Sequence, residues 1–258
     1  MSQIPDIEAV ASAAVHAGGT ELARRYRAGD DAGTYTSYDV KAAADEAAEA
    51  RMLPVIRQAF PDHPLVAEEA GVFEGSGPYQ WIVDPLDGTN NFATGLPLFA
   101  SAVSVRRDGD PVVGAVRQPV TDETYLVREG DGVRYNGETV TAERSVPLDS
   151  GTVAFIRGRN VPRDETLSQQ AGAIEQAVGA EVKRVCASWA PTVHSGLFAR
   201  GRMQGLVQFH PDEEEQAITE LLAVEAGGVV RRDGPLFVAA STEADLERLW
   251  NCLTVVHG

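Results

Sequence analysis

The sequence predicts an α/β protein in two lobes, an α+β lobe over residues 1–146 and an α/β lobe over residues 147–258. Three observations lead there. The 258 residues suffice for one large domain or two compact lobes. After residue 65, short β-type segments are separated by Asp-Gly and Asn-Gly pairs, which mark tight turns between antiparallel strands. Beyond residue 150, apolar strand-like runs alternate with helical periodicity, as α/β lobes do.

In chain order, Ile7, Val10, Ala11, Ala14, Val15 and Leu22 recur near helical spacing after Pro5, so an amphipathic helix is expected over 4–27. A second, Ala-rich helix is expected over 41–60, with Pro54 kinking or ending it. Strands follow at 65–67, 81–83, 100–105, 112–117, 124–128 and 133–135, with Asp108-Gly109, Asp131-Gly132 and Asn136-Gly137 as turns. In the second lobe, strands at 153–156, 182–185, 205–209, 229–231 and 237–240 alternate with helices at 164–178, 191–200, 213–226 and 243–253.

Composition narrows the function classes. The 22 basic and 38 acidic residues leave a net charge of -16, which repels nucleic-acid backbones and anionic membranes. Lys41 and Lys183 are the lysines of the chain, and the remaining cations are arginine. Few lysines with many acids suit a protein working in concentrated salt, a halophilic source, although an acidic protein of a GC-rich genome has the same composition. Cys186 and Cys252 are too few for a disulfide scaffold and are expected to be reduced. The first residues lack a signal pattern, and no apolar stretch reaches bilayer length, so a cytoplasmic location is expected.

The chemistry concentrates in Trp81 to Phe92, Trp-Ile-Val-Asp-Pro-Leu-Asp-Gly-Thr-Asn-Asn-Phe. An apolar strand stops at Asp84, and Asp87 follows three residues later around Pro85, whose fixed φ can aim both carboxylates and the Leu86 carbonyl at one point. Hard oxygen ligands suit Mg²⁺. The backbone N–H groups of Gly88 and Thr89 can receive a phosphate, and the Thr89 hydroxyl can orient a water. Each dipeptide alone is also an ordinary surface turn. The combination of strand end, paired acids, Gly-Thr and the nearby Glu68-Glu69 argues for a site.

With these residues in register, the sequence resembles the inositol monophosphatase family of metal-dependent phosphomonoesterases. Glu68-Glu69, Trp81 to Phe92, Gly95 and Pro97 match its central motif; Arg128 to Gly137 and Glu225-Ala-Gly-Gly-Val-Val resemble later parts. The resemblance implies a layered αβαβα sandwich, with most metal ligands in the first lobe and the second completing the substrate site. It implies Glu68, Asp84, Asp87 and the Leu86 carbonyl as Mg²⁺ ligands, with Glu69 as a supporting acid. Gly88 and Thr89 would contact phosphate, Thr89 activating water with Glu68, and Asp45 would lie beneath a weaker metal.

Several positions depart from the family pattern. Counting ten residues back from Glu225, Glu214-Glu215 replaces a Trp-Asp pair. Glu215 is expected as metal ligand and substrate contact, with Asp212 as the fallback; Asp212 and Glu215 also have the spacing of a helix capping box. Ala187-Ser188-Trp189-Ala190 stands for a run of small residues, so Ala187 and Ser188 are expected to contact substrate while Trp189 reshapes the pocket. Gln208 and Gln204 stand where the family often has Glu and Asp, and Gln208 is expected to contact substrate. His63, His194 and His210 lack zinc spacing and are assigned no role, and neither Ser188 nor Cys186 is expected to act as a nucleophile.

The expected function is Mg²⁺-dependent hydrolysis of a small sugar or polyol phosphate, with inositol 1-phosphate as leading substrate. Fructose 1,6-bisphosphate and a 3',5'-bisphosphate nucleotide are alternatives. A catalytically inactive relative acting as a metabolite- or protein-binding module is the alternative of another class. The expected partners are a phosphate monoester and, in a homodimer, a second copy of the chain.

Overall fold

The computed structural model describes residues 4–30, 33–35, 40–142 and 146–257. The chain divides into two units, Met1–Thr139 and Val140–Gly258.

In the first unit, helices α1 (Ile4–Ala28) and α2 (Ala43–Ala59) are joined through a hairpin of β1 (Gly33–Tyr35) and β2 (Val40–Ala42). Lys41 and Ala42, expected to begin the second helix, are therefore strand residues. Nor does Pro54 end α2, which runs on to Ala59. Its missing N–H deprives the Ala50 carbonyl of a helical donor, but both residues lie on the exposed side, where water can bond that carbonyl. On the other side Ala44, Ala48, Met52 and Ile56 recur every four residues and are buried, so packing before and after the proline carries the helix through it.

The unit's strands are β3 (Leu65–Ala67), β4 (Gly71–Phe73), β5 (Tyr79–Asp87), β6 (Ala100–Arg107), β7 (Asp110–Gln118), β8 (Glu123–Arg128), β9 (Gly132–Tyr135) and β10 (Glu138–Val140). Among the described residues they form one eight-stranded sheet in the order β10-β9-β8-β7-β6-β5-β3-β4. Consecutive strands from β5 to β9 pair antiparallel, as the turn residues predict, whereas β3 and β5 pair parallel. Asp108 and Gly109 both have positive φ, 55° and 96°, as a two-residue type I′ turn requires.

Helices α1 and α2 pack on each other and on β5 and β6, burying Ile7, Val15, Met52, Ile56, Trp81 and Val105 in one core. A smaller cluster gathers Leu22, Ala44, Ala48, Leu86, Phe92 and Phe99 beneath the short helix α3 (Thr89–Ala93). Its aromatic rings interlock, with Phe92 edge-on to Phe99 at 5.0 Å and Tyr26 5.1 Å from Phe99. The turn carrying the central motif thus rests on packed side chains.

The second unit holds β11 (Thr152–Arg157), α4 (Glu165–Glu181), β12 (Arg184–Cys186), α5 (Pro191–Ala199), β13 (Gly205–Phe209), α6 (Glu213–Glu225), β14 (Val229–Asp233), β15 (Leu236–Ala240) and α7 (Glu243–His257). Its sheet order is β12-β11-β13-β15-β14, with β12, β11 and β13 parallel and β15 antiparallel to both its neighbours. Val153, Phe155, Val207, Phe209 and Val238 share a core with Ile174 and Val178 of α4 and Leu246 and Leu249 of α7. Alternation along a strand therefore sends Leu206 and Gln208 to the opposite face. Helices α5 and α6 pack together, and α5 lies against β13.

Candidate active site

The site in the first unit begins with a strand irregularity. Asp84 pairs with Ala102 and Asp87 with Ala100, so three steps on β5 span two on β6. In a regular strand, residues three apart point to opposite faces; the extra residue reverses that parity and turns both aspartates to one side. Pro85, which cannot donate to the ladder, sits within this bulge, where its missing N–H is tolerated. Carboxylate oxygens of Asp84 and Asp87 come within 4.8 Å of each other. Asp84 is half-buried and its Oδ1 accepts from the Leu86 N–H at 3.1 Å, while Asp87 is 3% exposed.

Gly88 follows in the left-handed conformation, φ 88°, and a Cβ there would stand 2.8 Å from the Leu98 carbonyl oxygen. Only glycine fits both the dihedral and that approach. Thr89 then opens α3, and its hydroxyl lies 3.0 Å from the Leu86 carbonyl and 3.2 Å from Oδ1 of Asp45. A hydroxyl carries one proton, so one of these acceptors is served at a time. Asp45 is buried in the first turn of α2. The structure thus brings Asp45, Asp84, Leu86, Asp87 and Thr89 together in this unit.

Glu68 directly follows β3 and is exposed. The parallel register Ala67↔Val83 sets its backbone position beside that of Asp84, at the carboxyl ends of two adjacent strands. Sequence reasoning missed what anchors this segment. Glu49, one helical turn after Asp45 and 3% exposed, accepts from the backbone N–H of Glu69 and of Ala70, both at 2.8 Å. The visible signal was an acid four residues after Asp45 on the apolar side of an Ala-rich helix.

His63 also acquires a partner. Its Nδ1 accepts from Trp81 Nε1 at 3.0 Å, and its ring stacks on Phe60 at 4.7 Å. Burial lowers the His63 pKa below the usual histidine range. It is a structural joint between the end of α2 and β5.

In the second unit, Ala187 is exposed and Ser188 half-buried in the turn between β12 and α5. The Ser188 hydroxyl is 2.7 Å from Nε2 of His194, so an imidazole stands beside this serine. Spacing could not reveal the pair, because Trp189, at φ 45°, turns the chain sharply into α5. The Trp189 ring is half-buried beneath the Arg157 guanidinium at 5.3 Å.

Gln208 is 0% exposed on β13, and neither its Oε1 nor its Nε2 finds a hydrogen-bond partner among the described residues. Gln204, where the family often has Asp, accepts from the Thr152 N–H at 2.7 Å and ties the start of β11 to the chain before β13. Glu215 is half-buried in the first turn of α6. Asp212 occupies the N-cap without a capping bond from its side chain. Its Oδ2 instead meets Arg159, 3.2 Å from the guanidinium Nε and accepting from the Arg159 backbone N–H at 3.4 Å.

The donors gathered around the β5 bulge are carboxylate, carbonyl and hydroxyl oxygens, with no histidine or cysteine among them. Such a set fits a hard divalent cation, Mg²⁺ rather than zinc. Fold and site therefore define an α/β protein with, at a strand end, a cluster of oxygen donors that could hold a hard cation.

Comparison with known proteins agrees. A sequence model of the Inositol monophosphatase family matches residues 5–238. The chain is 33% identical over 228 residues to Nus factor SuhB of Escherichia coli (strain K12), covering 86% of this chain and 83% of that one. It is 33% identical over 194 residues to fructose-1,6-bisphosphatase/inositol-1-monophosphatase of Aquifex aeolicus (strain VF5), covering 75% and 72%. The crystal structure of extragenic suppressor protein suhB from Bartonella henselae superposes with a TM-score of 0.85 at 25% identity, over 96% of this chain and 98% of that one. The chain belongs to the inositol monophosphatase family.

Proposed function

We propose that the protein is a Mg²⁺-dependent phosphomonoesterase acting on a small sugar or polyol phosphate, with inositol 1-phosphate as leading substrate. The observation that carries this reading is the β5 bulge, which turns Asp84 and Asp87 to one side next to the Leu86 carbonyl and Thr89. Asp84, Asp87, Glu68 and the Leu86 carbonyl would hold the cation. By register with the family, Glu215 supplies the late carboxylate. When bound, Mg²⁺ neutralises phosphoryl charge and lowers the pKa of water.

The chain's own residues do the rest. Glu68 and the Thr89 hydroxyl orient the attacking water; Thr89 Oγ1 takes up its proton as its own passes toward Asp45 Oδ1, 3.2 Å away. Backbone N–H groups of Gly88 and Thr89 hold phosphate oxygens. As the water oxygen bonds to phosphorus, the bond to the substrate alcohol breaks in line, and the alkoxide takes a proton from a solvent water, replaced by the proton that Asp45 returns to solvent, to leave as the alcohol. Ala187, Ser188, Gln208 and Glu215 contact the non-phosphate part. Gln208 is singled out there by its two buried polar atoms, which find no hydrogen-bond partner among the described residues.

Two relatives favour further readings. The Aquifex protein's name supports fructose 1,6-bisphosphate as a second substrate, and the name Nus factor SuhB supports a binding role that does not need turnover. One experiment separates the three: phosphate release from inositol, sugar and nucleotide phosphates, with Mg²⁺ and with chelator. Metal-dependent release from inositol 1-phosphate supports the proposal. Release from fructose 1,6-bisphosphate alone moves the assignment to that substrate, and no release from any substrate leaves the binding role.

A further inference from the structure

Arg157, the last residue of β11, is a half-buried cation that the metal chemistry does not use. Arg25, Arg117, Arg128, Arg134 and Arg231 are half-buried too, and each meets a carboxylate. Arg157 makes no ion pair and no side-chain hydrogen bond among the described residues, although the chain carries 38 acidic residues against 22 basic ones. Its guanidinium carbon lies instead 5.3 Å from the centre of the Trp189 ring. A cation over an aromatic face is held without spending its N–H groups, so the donors of the guanidinium fork stay available to an acceptor. Partial withdrawal from water without a counter-charge costs free energy, and a bound anion offsets that cost.

The guanidinium also stands where α/β sheets receive ligands. Strands β12, β11 and β13 run parallel, and such sheets bind ligands beyond the carboxyl ends of their strands. Ala154 pairs with Cys186, and three residues further along each chain stand Arg157 and Trp189, whose side chains meet. Trp189 holds this place at a positive φ of 45°, which a bulky L-residue rarely adopts and which its surroundings must enforce. On the side of β13, the Gly158 N–H donates to the Phe209 carbonyl at 3.0 Å, and a Cβ on Gly158 would collide with the His210 carbonyl. The segments that leave three parallel strands therefore converge around Arg157, and one of them carries Ser188 next to Trp189.

We propose that Arg157, backed by the Trp189 ring, binds a second phosphate of the substrate, so that the protein prefers sugar or polyol phosphates with two phosphates to those with one. This rests on the reading of the chain as a phosphomonoesterase whose second unit contacts the part of the substrate away from the scissile phosphate. The donor set suits that ligand, because a guanidinium presents paired N–H groups that match two oxygens of a phosphate. A net charge of -16 repels a second phosphate in general, so its acceptance requires a local cation not already matched by a carboxylate.

Fructose 1,6-bisphosphate and fructose 1-phosphate differ only in the second phosphate, so comparing them isolates this role. At saturating Mg²⁺ the wild type should show a KM about 30-fold lower for the bisphosphate, the worth of one charge-assisted hydrogen-bonded pair. Arg157→Gln should erase that difference by raising KM for the bisphosphate alone, and Arg157→Lys, which keeps the charge without the fork, should retain part of it. Melting curves identify any variant that fails to fold. A wild type indifferent to the second phosphate, or a preference that survives Arg157→Gln, overturns the proposal. Calorimetry of the same two ligands in chelator asks the question without turnover, and Arg157→Gln should weaken binding of the bisphosphate there by a similar factor. If neither ligand is hydrolysed but bisphosphate binding depends on Arg157, the phosphatase reading fails and the anion site stands. Bisphosphate binding that is absent, or equal in wild type and Arg157→Gln, refutes the site.

Discussion

Glu49 on α2 binds the backbone N–H of Glu69 at 2.8 Å, and the adjoining Ala70 N–H at the same distance. A buried carboxylate with two backbone donors is a strong anchor, since hydrogen bonds to charged groups are worth ~1.5–3 kcal/mol each. It ties the start of the helix that carries Asp45 to the turn that carries Glu68. Replacing Glu49 by Gln keeps one acceptor and sets an amide NH₂ against the other N–H. Glu49→Gln should lower stability by about 2 kcal/mol and weaken Mg²⁺ binding measured by calorimetry. Intact metal affinity in a folded variant would separate Glu49 from the site.

Asp87→Asn tests the proposed metal site most directly. The substitution is nearly isosteric and removes charge from a side chain that the bulge points beside Asp84. The expected loss in kcat/KM is about 100-fold or more, ~3 kcal/mol of transition-state stabilisation, with a small change in melting temperature. Near-normal phosphatase activity would sink the reading.

Gly88→Ala should damage the turn rather than the charge. The new Cβ meets the Leu98 carbonyl at 2.8 Å and must adopt φ 88°. Strain of about 2–3 kcal/mol is expected, lowering the melting temperature by roughly 5–10 °C. An unchanged thermal transition would show that the turn has room to relax.

Glu215 and Asp212 give opposite answers to similar substitutions. Glu215→Gln should weaken Mg²⁺ binding and turnover, whereas Glu215→Asp should retain Mg²⁺-dependent activity. Asp212→Asn should mainly loosen the Arg159 pair, which is half-exposed and worth ~1 kcal/mol or less. Full activity in Glu215→Gln with lost metal binding in Asp212→Asn would transfer the ligand role to Asp212.

Burial pushes the His194 pKa down to about 4 from its ordinary 6.5. Between these values the unfolded chain binds a proton that the folded chain refuses, so stability rises with pH across that window. The contribution is complete above about pH 6.5 and is lost as pH falls toward 4, a difference of ~3 kcal/mol. His63 acts in the same direction through its own burial. Urea unfolding at pH 7 and pH 4 should show the wild type losing about 3 kcal/mol more than His194→Gln. Equal losses in the two proteins would contradict the assignment of this titration to His194.

Much of the architecture was legible because its causes are local. Asp108-Gly109 accepts positive φ, so the β6–β7 hairpin follows from two residues; Gly205 to Phe209 is a strand because an apolar run ends at turn-forming residues. Pro54 does not end its helix because distant packing of Met52 and Ile56 holds it, and propensity yields to burial there.

The candidate site divides along the same line. The sequence alone determined which atoms could meet a cation, since Asp84, Leu86 and Asp87 lie within one turn and Pro85 restricts how they point. Tertiary structure decided which side they point to, through the extra residue of β5 against β6, and decided what supports them. Asp45 meets Thr89 across 44 positions, Glu49 meets Glu69 across 20, and His63 meets Trp81 across 18. No periodicity encodes such pairs: each forms because two elements pack at one distance, and a buried polar atom there must find the partner that packing supplies.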